Sequence, residues 1–246
     1  GAKTFVIGDS PDGTNINENI GSTHIEALRR LVLENSLDAG FAFDGDADRC
    51  IAVDEQGNVI TGDEILYVSA GYLKRMNALA GDKIVCTTLS NGGLVKSLKK
   101  LGITSEICAV GDKAVCDAMS ASGAVLGGER SGHIVYSKYE TTGDGLVTSI
   151  MLMEAVVEMK CPLSRLLAGY KALPQISLNV PVVDKTAAMK GVAELAEKLE
   201  RELSLRIITR PSGTERVVRI MAEGESEENC ALACKILSSK ILENSN

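Results

Sequence analysis

Short apolar stretches alternate with longer runs of helical spacing along the whole chain. The residues at 3–8 and 40–43 predict strands, and those at 50–53 and 58–60 predict a hairpin around a polar turn. A helical pattern follows at 63–77. Strands that alternate with helices are typical of helices packed on a sheet. The pattern therefore predicts an α/β fold.

A second series of the same kind begins after residue 80, and a third begins after Leu173-Pro174. In the second series the predicted strands are 83–87, 104–110 and 124–127, with helices between them and at 145–159 and 163–170. The third series predicts strand, helix, strand, strand and helix within about 70 residues, near the lower size of an independent domain. We expect two α/β sheet domains, at 1–80 (truncated) and 81–173, and a small β-α-β-β-α domain of the α+β class at 174–246.

Composition narrows the class of protein. Of the 246 residues 45% are apolar but only 3% are aromatic, so the cores must be aliphatic. Lys and Arg number 26 against 33 Asp and Glu, and no block of basic residues offers a footprint for nucleic acid. No apolar run approaches the roughly 18 residues of a membrane span, and the first residues lack a signal-peptide pattern. We expect a cytoplasmic protein that binds neither nucleic acid nor membrane.

The distribution of cysteine and histidine argues against two common kinds of site. The seven cysteines are odd in number and scattered, without a C-x-x-C pair, and the histidines are only His24 and His133. Such a distribution predicts neither a zinc site nor a disulfide framework. Buried thiols in a reducing compartment are the ordinary interpretation.

A cluster of carboxylates follows the second predicted strand. Asp44, Asp46 and Asp48 alternate on a short loop, and Gly45 allows the bend. Three carboxylates this close repel one another unless a cation neutralises them, and hard oxygen ligands favour Mg²⁺ or Ca²⁺. Arg49 is either their salt-bridge partner or a ligand for a phosphoryl group shared with the metal. A solvated acidic turn is the ordinary alternative.

Two other motifs share part of this loop. An EF-hand would place its twelfth ligand at Glu55, but its sixth position requires glycine and holds Arg49, and a predicted strand precedes the loop. The loop also resembles that of the haloacid-dehalogenase phosphatases, Asp-x-Asp-x-Thr/Val, in which Asp44 would be the nucleophile. Asp48 stands where Thr or Val belongs. We reject the EF-hand and keep a Mg²⁺-dependent phosphatase as an alternative.

A second polar loop follows the predicted strand at 124–127. Glu129, Ser131 and His133 alternate there, and a carboxylate with a hydroxyl is suited to vicinal sugar hydroxyls. A lone histidine such as His133 is more often a satisfied structural residue. A hydrolase triad is unsupported, because neither Ser-His pair has an obvious orienting acid.

A candidate phosphate cradle lies in the third predicted domain. Arg210 offers a bidentate cation, and Ser212 and Thr214 offer hydroxyl donors. Gly213 lets backbone N–H groups approach an anion, and Arg219 adds positive charge on the strand that follows. For this loop alone, an ordinary Pro-Ser-Gly turn with exposed arginines is the alternative.

Taken in this order, the three loops resemble those of the α-D-phosphohexomutases. That family has a metal-binding Asp-Gly-Asp-x-Asp-Arg, a sugar-binding Gly-Glu-x-Ser-Gly-His and a C-terminal phosphate loop Arg-x-Ser-Gly/Asn-Thr. They stand here at Asp44–Arg49, Gly128–His133 and Arg210–Thr214. Pro11–Asn17 and Thr141–Gly145 are similar to the bacterial members that act on glucosamine phosphates. The resemblance covers essentially the whole chain.

The resemblance implies an isomerase that interconverts glucosamine 6-phosphate and glucosamine 1-phosphate, on the route to UDP-N-acetylglucosamine. It implies a phosphoserine held against Mg²⁺, glucosamine 1,6-bisphosphate as the intermediate, and a small phosphosugar as the partner; a homo-oligomer is left open. The implied residues are Asp44, Asp46 and Asp48 for the metal, Arg49 for the phosphoserine, Lys113 near the sugar, Glu129, Ser131 and His133 for the sugar, and Arg210, Ser212, Gly213, Thr214 and Arg219 for the phosphate that is not transferred.

The sequence departs from the family in one large respect and two small ones. The family's serine lies in an N-terminal domain, in a Ser-x-Ser-His-Asn-Pro type of motif that these 246 residues do not contain. Arg130 stands where Gln or Ser is usual, and Arg216 where Pro is common. We expect a fragment that binds metal and phosphosugar but lacks the phosphoryl carrier and is inactive alone. A phosphatase with Asp44 as nucleophile and a non-catalytic sugar-phosphate-binding module are the alternatives.

Overall fold

The computed structural model describes residues 1–245 and divides the chain into two compact units. The first unit is Gly1–Lys171, and the second begins at Ala172. Each unit has its own hydrophobic core, built mainly from aliphatic side chains. Strands and helices alternate as expected, which confirms the mixed α/β fold. A further division of the first unit near residue 80 stays a prediction.

A three-stranded antiparallel sheet forms the beginning of the first unit. Its elements are α1 (Glu26–Glu34), β1 (Ala39–Phe43), β2 (Cys50–Asp54) and β3 (Val59–Ile60). The strands lie in the order β1-β2-β3, with Phe43 opposite Cys50. Leu28 and Val32 of α1 pack with Val53 in a small core. The loop between β1 and β2 contains the carboxylate cluster.

The second sheet of the first unit is mostly parallel. Its elements are α2 (Gly62–Arg75), β4 (Lys83–Thr87), α3 (Gly92–Lys100), β5 (Thr104–Cys108), α4 (Asp112–Ser122), β6 (Leu126–Gly128), β7 (Ile134–Tyr136), α5 (Gly145–Met159) and α6 (Leu163–Leu166). The order is β5-β4-β6-β7, and only β7 runs antiparallel to its neighbour. Ligands of such sheets bind beyond the carboxyl ends of the strands. The Glu129–His133 loop follows the carboxyl end of β6.

The second unit is built on an antiparallel sheet. Its elements are β8 (Gln175–Pro181), α7 (Lys185–Ala188), α8 (Val192–Leu203), β9 (Arg206–Pro211), β10 (Val217–Glu223) and α9 (Glu227–Ser245). The central strand is β10, with β8 and β9 on either side of it. Val218 and Ile220 of β10 pack with Leu199 of α8 and Leu237 of α9 in a continuous core. The turn between β9 and β10 is the candidate phosphate cradle.

One predicted strand is not formed. Residues 3–8 pair with no strand in the part of the chain that the structure describes, and Phe5, Val6 and Ile7 are 38%, 65% and 41% exposed. A strand needs a neighbour to satisfy its backbone N–H and C=O groups, and apolar side chains do not replace that neighbour. The prediction of a strand at 3–8 was therefore wrong for this structure.

Two further observations concern the helices and the cysteines. None of the helices within residues 1–245 is long and apolar enough to cross a membrane. All seven cysteines are free thiols. Burial raises the pKa of Cys50, the first residue of β2, to about 12, so this thiol stays protonated and unreactive at neutral pH.

Candidate functional site

Backbone hydrogen bonds determine the shape of the acidic loop between β1 and β2. The Ala47 N–H donates to the Asp44 carbonyl at 3.1 Å, and the Arg49 N–H donates to Asp44 Oδ1 at 3.1 Å. Ala47 has a φ of 58°, in the left-handed region that is uncommon for a residue with a Cβ. The N–H of Gly145, at the start of α5, donates to the Ala47 carbonyl at 2.8 Å. The start of α5 therefore holds the strained turn in place.

Three aspartate side chains converge on this loop. One carboxylate oxygen from each of Asp44, Asp46 and Asp48 lies within 4.8 Å of the other two. Asp48 Oδ1 is buried without a hydrogen-bond partner in residues 1–245, which is costly for a carboxylate oxygen. Arg49 Nε lies 3.6 Å from Asp44 Oδ2 and 3.7 Å from Asp48 Oδ1, so its positive charge faces the cluster. The cluster and its unsatisfied oxygen fit a hard divalent cation such as Mg²⁺.

His133 joins the acidic loop to the loop that follows β6. Its Nδ1 lies 3.0 Å from Asp48 Oδ2, and the Gly143 N–H donates to its Nε2 at 3.1 Å. Because Nε2 accepts a backbone hydrogen bond, the neutral ring has its proton on Nδ1 and donates it to Asp48. The side chain is only 3% exposed. Both ring nitrogens of His133 therefore bind protein groups, and the ring orients the Asp48 carboxylate.

Backbone pairing fixes the two loops against each other. Arg49 and His133 form an isolated antiparallel bridge, and the Cys50 N–H donates to the Gly132 carbonyl at 3.0 Å. Gly132 has a φ of 95°, and a Cβ at this position would collide with the Cys50 carbonyl. Only glycine fits at 132 without a shift of the backbone.

The start of α2 supports the same loop and was not predicted as part of the site. The Gly62 N–H donates to the Arg130 carbonyl at 3.0 Å, and a Cβ on Gly62 would collide with the Glu129 carbonyl. Asp63 is buried, and its Oδ2 accepts a hydrogen bond from the Asn91 N–H at 2.9 Å. Burial raises the pKa of Asp63 to about 6. The Gly62-Asp63 pair has no motif of its own, and only its position at a helix start was visible in the sequence.

Glu129 and Ser131 contact each other within a turn, in which the Gly132 N–H donates to the Glu129 carbonyl at 3.0 Å. The Ser131 hydroxyl donates to Glu129 Oε2 at 3.3 Å, and the Gly111 N–H donates to Glu129 Oε1 at 2.8 Å. The Lys113 ammonium is 85% exposed and lies 2.7 Å from Asp117, and this hydrogen bond raises the pKa of Lys113. Gly111, two residues before Lys113, therefore contacts Glu129 through its backbone. The Lys113 side chain contacts Asp117 instead.

In the second unit, Ser212 is built into the turn between β9 and β10. Its N–H donates to the Val217 carbonyl at 2.9 Å, and its buried hydroxyl accepts from the Glu215 N–H at 3.2 Å. Lys185 Nζ donates to the Ser212 carbonyl at 2.7 Å. Gly213 is exposed, and a Cβ added there would meet no atom within 4 Å. The turn itself would accept a residue with a Cβ at 213. With glycine there, a ligand has space to approach the backbone closely.

The arginines of this turn lie on one face of the sheet. Arg210 and Arg219 are directly opposite in the β9–β10 ladder, so their side chains project from the same face. Arg219 contacts Glu215 at 2.6 Å, and its buried Nε has no hydrogen-bond partner in the described part of the chain. Thr214 is exposed next to them. An anion bound here would compete with Glu215 for Arg219.

Two family models match the chain one after the other. "Phosphoglucomutase/phosphomannomutase, alpha/beta/alpha domain III" matches residues 61–173, and "Phosphoglucomutase/phosphomannomutase, C-terminal domain" matches residues 178–234. Phosphoglucosamine mutase of Lachnospira eligens is 51% identical over 234 residues, which are 94% of this chain and 52% of that protein. That of Bacillus subtilis is 46% identical, over 93% of this chain and 52% of its own length. The chain spans about half the length of the curated relatives it matches.

Solved structures share the fold. N-acetylphosphoglucosamine mutase of Aspergillus fumigatus, in complex with GlcNAc-6P and magnesium, aligns with a TM-score of 0.70 at 20% identity, over 94% of this chain and 54% of that one. A phosphoglucomutase/phosphomannomutase family protein of Burkholderia thailandensis aligns with a TM-score of 0.71 at 21% identity, over 91% and 50%. Because both family models match the chain in succession, it belongs to the phosphoglucomutase/phosphomannomutase family, the α-D-phosphohexomutases.

Proposed function

We propose that this chain forms the metal-, sugar- and phosphate-binding part of a phosphoglucosamine mutase, which interconverts glucosamine 6-phosphate and glucosamine 1-phosphate. The strongest support is the junction of the two loops, where three converging carboxylates are tied through His133 to the loop that contains Glu129 and Ser131. The curated relatives of that name, at 46% and 51% identity, support glucosamine phosphate as the substrate.

In this proposal Asp44, Asp46 and Asp48 hold Mg²⁺, in keeping with their hard oxygen donors and with the magnesium named for the Aspergillus enzyme. Bound Mg²⁺ offsets the negative charge of a phosphoryl group during its transfer. The Arg49 guanidinium, next to the cluster, binds the oxygens of a phosphoserine. The hydrogen bond from His133 holds Asp48 in a single orientation.

The remaining residues bind the sugar and its second phosphate. Glu129 accepts hydrogen bonds from sugar hydroxyls, Ser131 adds a donor, and Lys113 lies in the first turn of α4. The turn between β9 and β10 binds the phosphate that is not transferred. The residues proposed for this phosphate are Arg210, Ser212, Gly213, Thr214 and Arg219. Holding that phosphate orients the reacting one, which is how binding energy away from the reacting bond contributes to rate.

The phosphoryl group comes from a phosphoserine and passes through glucosamine 1,6-bisphosphate. Because the 246 residues contain no serine motif of the family's type, they bind the ligands without turning them over. The phosphatase alternative uses Asp44 as its nucleophile, so Asp44→Asn should abolish its release of phosphate. A non-catalytic sugar-phosphate-binding module would use the same binding residues.

Calorimetric titration with Mg²⁺ and with glucosamine 6-phosphate tests the proposal. Asp46→Asn removes an exposed carboxylate of the cluster, and Arg210→Ala removes an exposed guanidinium of the turn. Each loses a charge-assisted contact, so we expect about tenfold weaker binding of Mg²⁺ and of the sugar phosphate, respectively. The matched controls Asp38→Asn and Arg201→Ala, also exposed, should bind as the wild type does. Unchanged binding in both site variants would contradict the proposal.

A further inference from the structure

The turn between β9 and β10 presents two backbone N–H groups to solvent. Gly213 and Thr214 are exposed, and neither N–H donates a hydrogen bond to a group in the described part of the chain. The neighbouring N–H groups are satisfied, because that of Ser212 donates to the Val217 carbonyl and that of Glu215 donates to the Ser212 hydroxyl. Adjacent unpaired N–H groups in a turn are suited to bind an anion.

A lysine contacts the opposite side of this turn. Lys185 Nζ donates to the Ser212 carbonyl at 2.7 Å and, with a longer bond, to the Glu215 carbonyl at 3.4 Å. The peptide bond between Ser212 and Gly213 is trans, and the C=O and N–H of a trans peptide bond point in opposite directions. Because the Ser212 carbonyl points toward Lys185, the Gly213 N–H points away from it.

The backbone around this lysine is held against the turn. The Val182 N–H, after β8, donates to the Arg216 carbonyl at 2.9 Å, immediately before β10. Asp184 Oδ1 accepts hydrogen bonds from two N–H groups of the first turn of α7, at 2.8 and 3.2 Å. Such a side-chain cap fixes the start of a helix. Lys185 therefore reaches the turn from a fixed position.

No acid neutralises this lysine within the described part of the chain. The contacts of Lys185 Nζ there are the two carbonyls, and it forms no ion pair. Arg219, by contrast, is paired with Glu215 at 2.6 Å. Carbonyl oxygens satisfy the hydrogen bonds of an ammonium group but leave its positive charge uncompensated. A structural ion pair therefore does not explain Lys185, and its charge favours an anion at the turn.

We propose that Lys185 is a positioning residue of the phosphate site, which orients the Ser212–Gly213 peptide bond so that the Gly213 N–H faces the phosphate that is not transferred. The ammonium also polarises this peptide bond, because a hydrogen bond at the carbonyl oxygen draws electrons from the amide nitrogen. The N–H becomes a stronger donor for a phosphate oxygen. Lys185 acts through the peptide bond and from its other side, without touching the phosphate. This role rests on the proposed function, which places a phosphate at the turn.

NMR of the ¹⁵N-labelled protein tests this role in two steps. Without ligand, Lys185→Met removes the hydrogen bond at the Ser212 carbonyl, so the Gly213 amide nitrogen should resonate at lower frequency than in wild type. Inorganic phosphate is then titrated as the probe. In wild type the amides of Gly213 and Thr214 should shift, and Lys185→Met should bind phosphate about tenfold more weakly because a charge-assisted contact is lost.

Two further variants separate this role from overall charge and from folding. Lys185→Arg keeps the charge and the hydrogen-bond donors, so it should recover most of the lost phosphate affinity. Lys235→Met removes the same charge from an exposed position on α9 of the same unit, so it should bind phosphate as wild type does. The amide resonances of α8 report on the fold and should stay in place in all three variants.

Four results would overturn the role of Lys185. These are wild-type phosphate affinity in Lys185→Met, an unchanged Gly213 nitrogen resonance in that variant, no recovery in Lys185→Arg, and an equal loss of affinity in Lys235→Met, which would indicate an effect of overall charge alone. A wild type that does not bind phosphate at this turn would contradict the proposed function itself. The two failures are therefore distinguishable.

Discussion

The two loops proposed to bind the phosphosugar are held in opposite ways. Glu129–His133 is fixed by backbone contacts, and its Gly132 has no space for a Cβ. In the turn at 210–215, a Cβ on Gly213 would meet nothing within 4 Å, and the charged side chains are exposed. The fold therefore pre-organises the first loop for directional hydrogen bonds. In the second loop, partly exposed Arg219 can exchange its ion pair with Glu215 for a bound phosphate.

The same substitution in the two loops should give the largest contrast. Gly132→Ala should lower the free energy of unfolding of the first unit by about 3 kcal/mol, because alanine is strained at a positive φ and its Cβ meets the Cys50 carbonyl. Gly213→Ala should stay within about 0.5 kcal/mol. Urea unfolding followed by circular dichroism measures both. Equal decreases in the free energy of unfolding of the two variants would contradict this difference between the loops.

The pH dependence of the free energy of unfolding tests the burial of Asp63, at the start of the helix that supports the first loop. The pKa of Asp63 is about 6 in the folded protein against 3.8 for a free side chain, so the folded state keeps a proton that the unfolded chain loses. As pH rises from 4 to 7, wild type should therefore lose about 2 to 3 kcal/mol relative to Asp63→Asn, with little further change above pH 7. Urea midpoints of both proteins at pH 4, 5, 6 and 7 give this difference. A difference in urea midpoint between the two proteins that does not change with pH would contradict the burial of an ionisable Asp63.

Removal of the histidine that joins the loops should weaken metal binding. His133→Ala leaves Asp48 without its orienting hydrogen bond, and the loss of such a support typically costs 10- to 100-fold in metal affinity. Titration with Mn²⁺, followed by electron paramagnetic resonance, measures the affinity. His24→Ala, at an exposed position, is the matched control. Wild-type affinity in His133→Ala would mean that Asp48 does not depend on the ring.

The smallest effect is expected in the second loop. Glu215→Gln removes the carboxylate that contacts Arg219, so phosphate no longer competes with it, and affinity for inorganic phosphate should rise two- to fivefold. The free energy of unfolding should stay unchanged within about 0.5 kcal/mol. Glu202→Gln breaks another exposed ion pair, with Lys198, and should leave phosphate affinity unchanged. Weaker phosphate binding in Glu215→Gln would show that Glu215 assists the anion.

Local patterns predicted most of the fold because most elements are either amphipathic or continuously apolar and are bounded by turn residues. The hairpin at 50–60 and the parallel strands after residue 80 formed where the apolar periods placed them. The strand at 3–8 did not form, since strand pairing depends on a neighbour that a local pattern does not reveal. β7 was missed because it has only three residues, too few for an apolar pattern to be recognised.

The site was predicted as separate loops, and only the fold determines how the Asp44–Arg49 and Glu129–His133 loops of the first unit meet. Glu129 and Ser131 do contact each other, but in a turn and not in the extended segment that their alternation assumed. The contact between His133 and Asp48 joins residues 85 positions apart, so no local spacing predicts it. Asp63 was missed for the same reason, because its burial depends on the packing around α2.

The most direct test of the proposed function is the ³¹P NMR spectrum of glucosamine 1,6-bisphosphate with this chain and Mg²⁺. We predict that both phosphate signals shift or broaden without any new signal, and that Arg210→Ala largely removes the effect. A signal of inorganic phosphate that grows with time would contradict the proposal in favour of a phosphatase. A spectrum that the protein leaves unchanged would contradict the binding of a phosphosugar altogether.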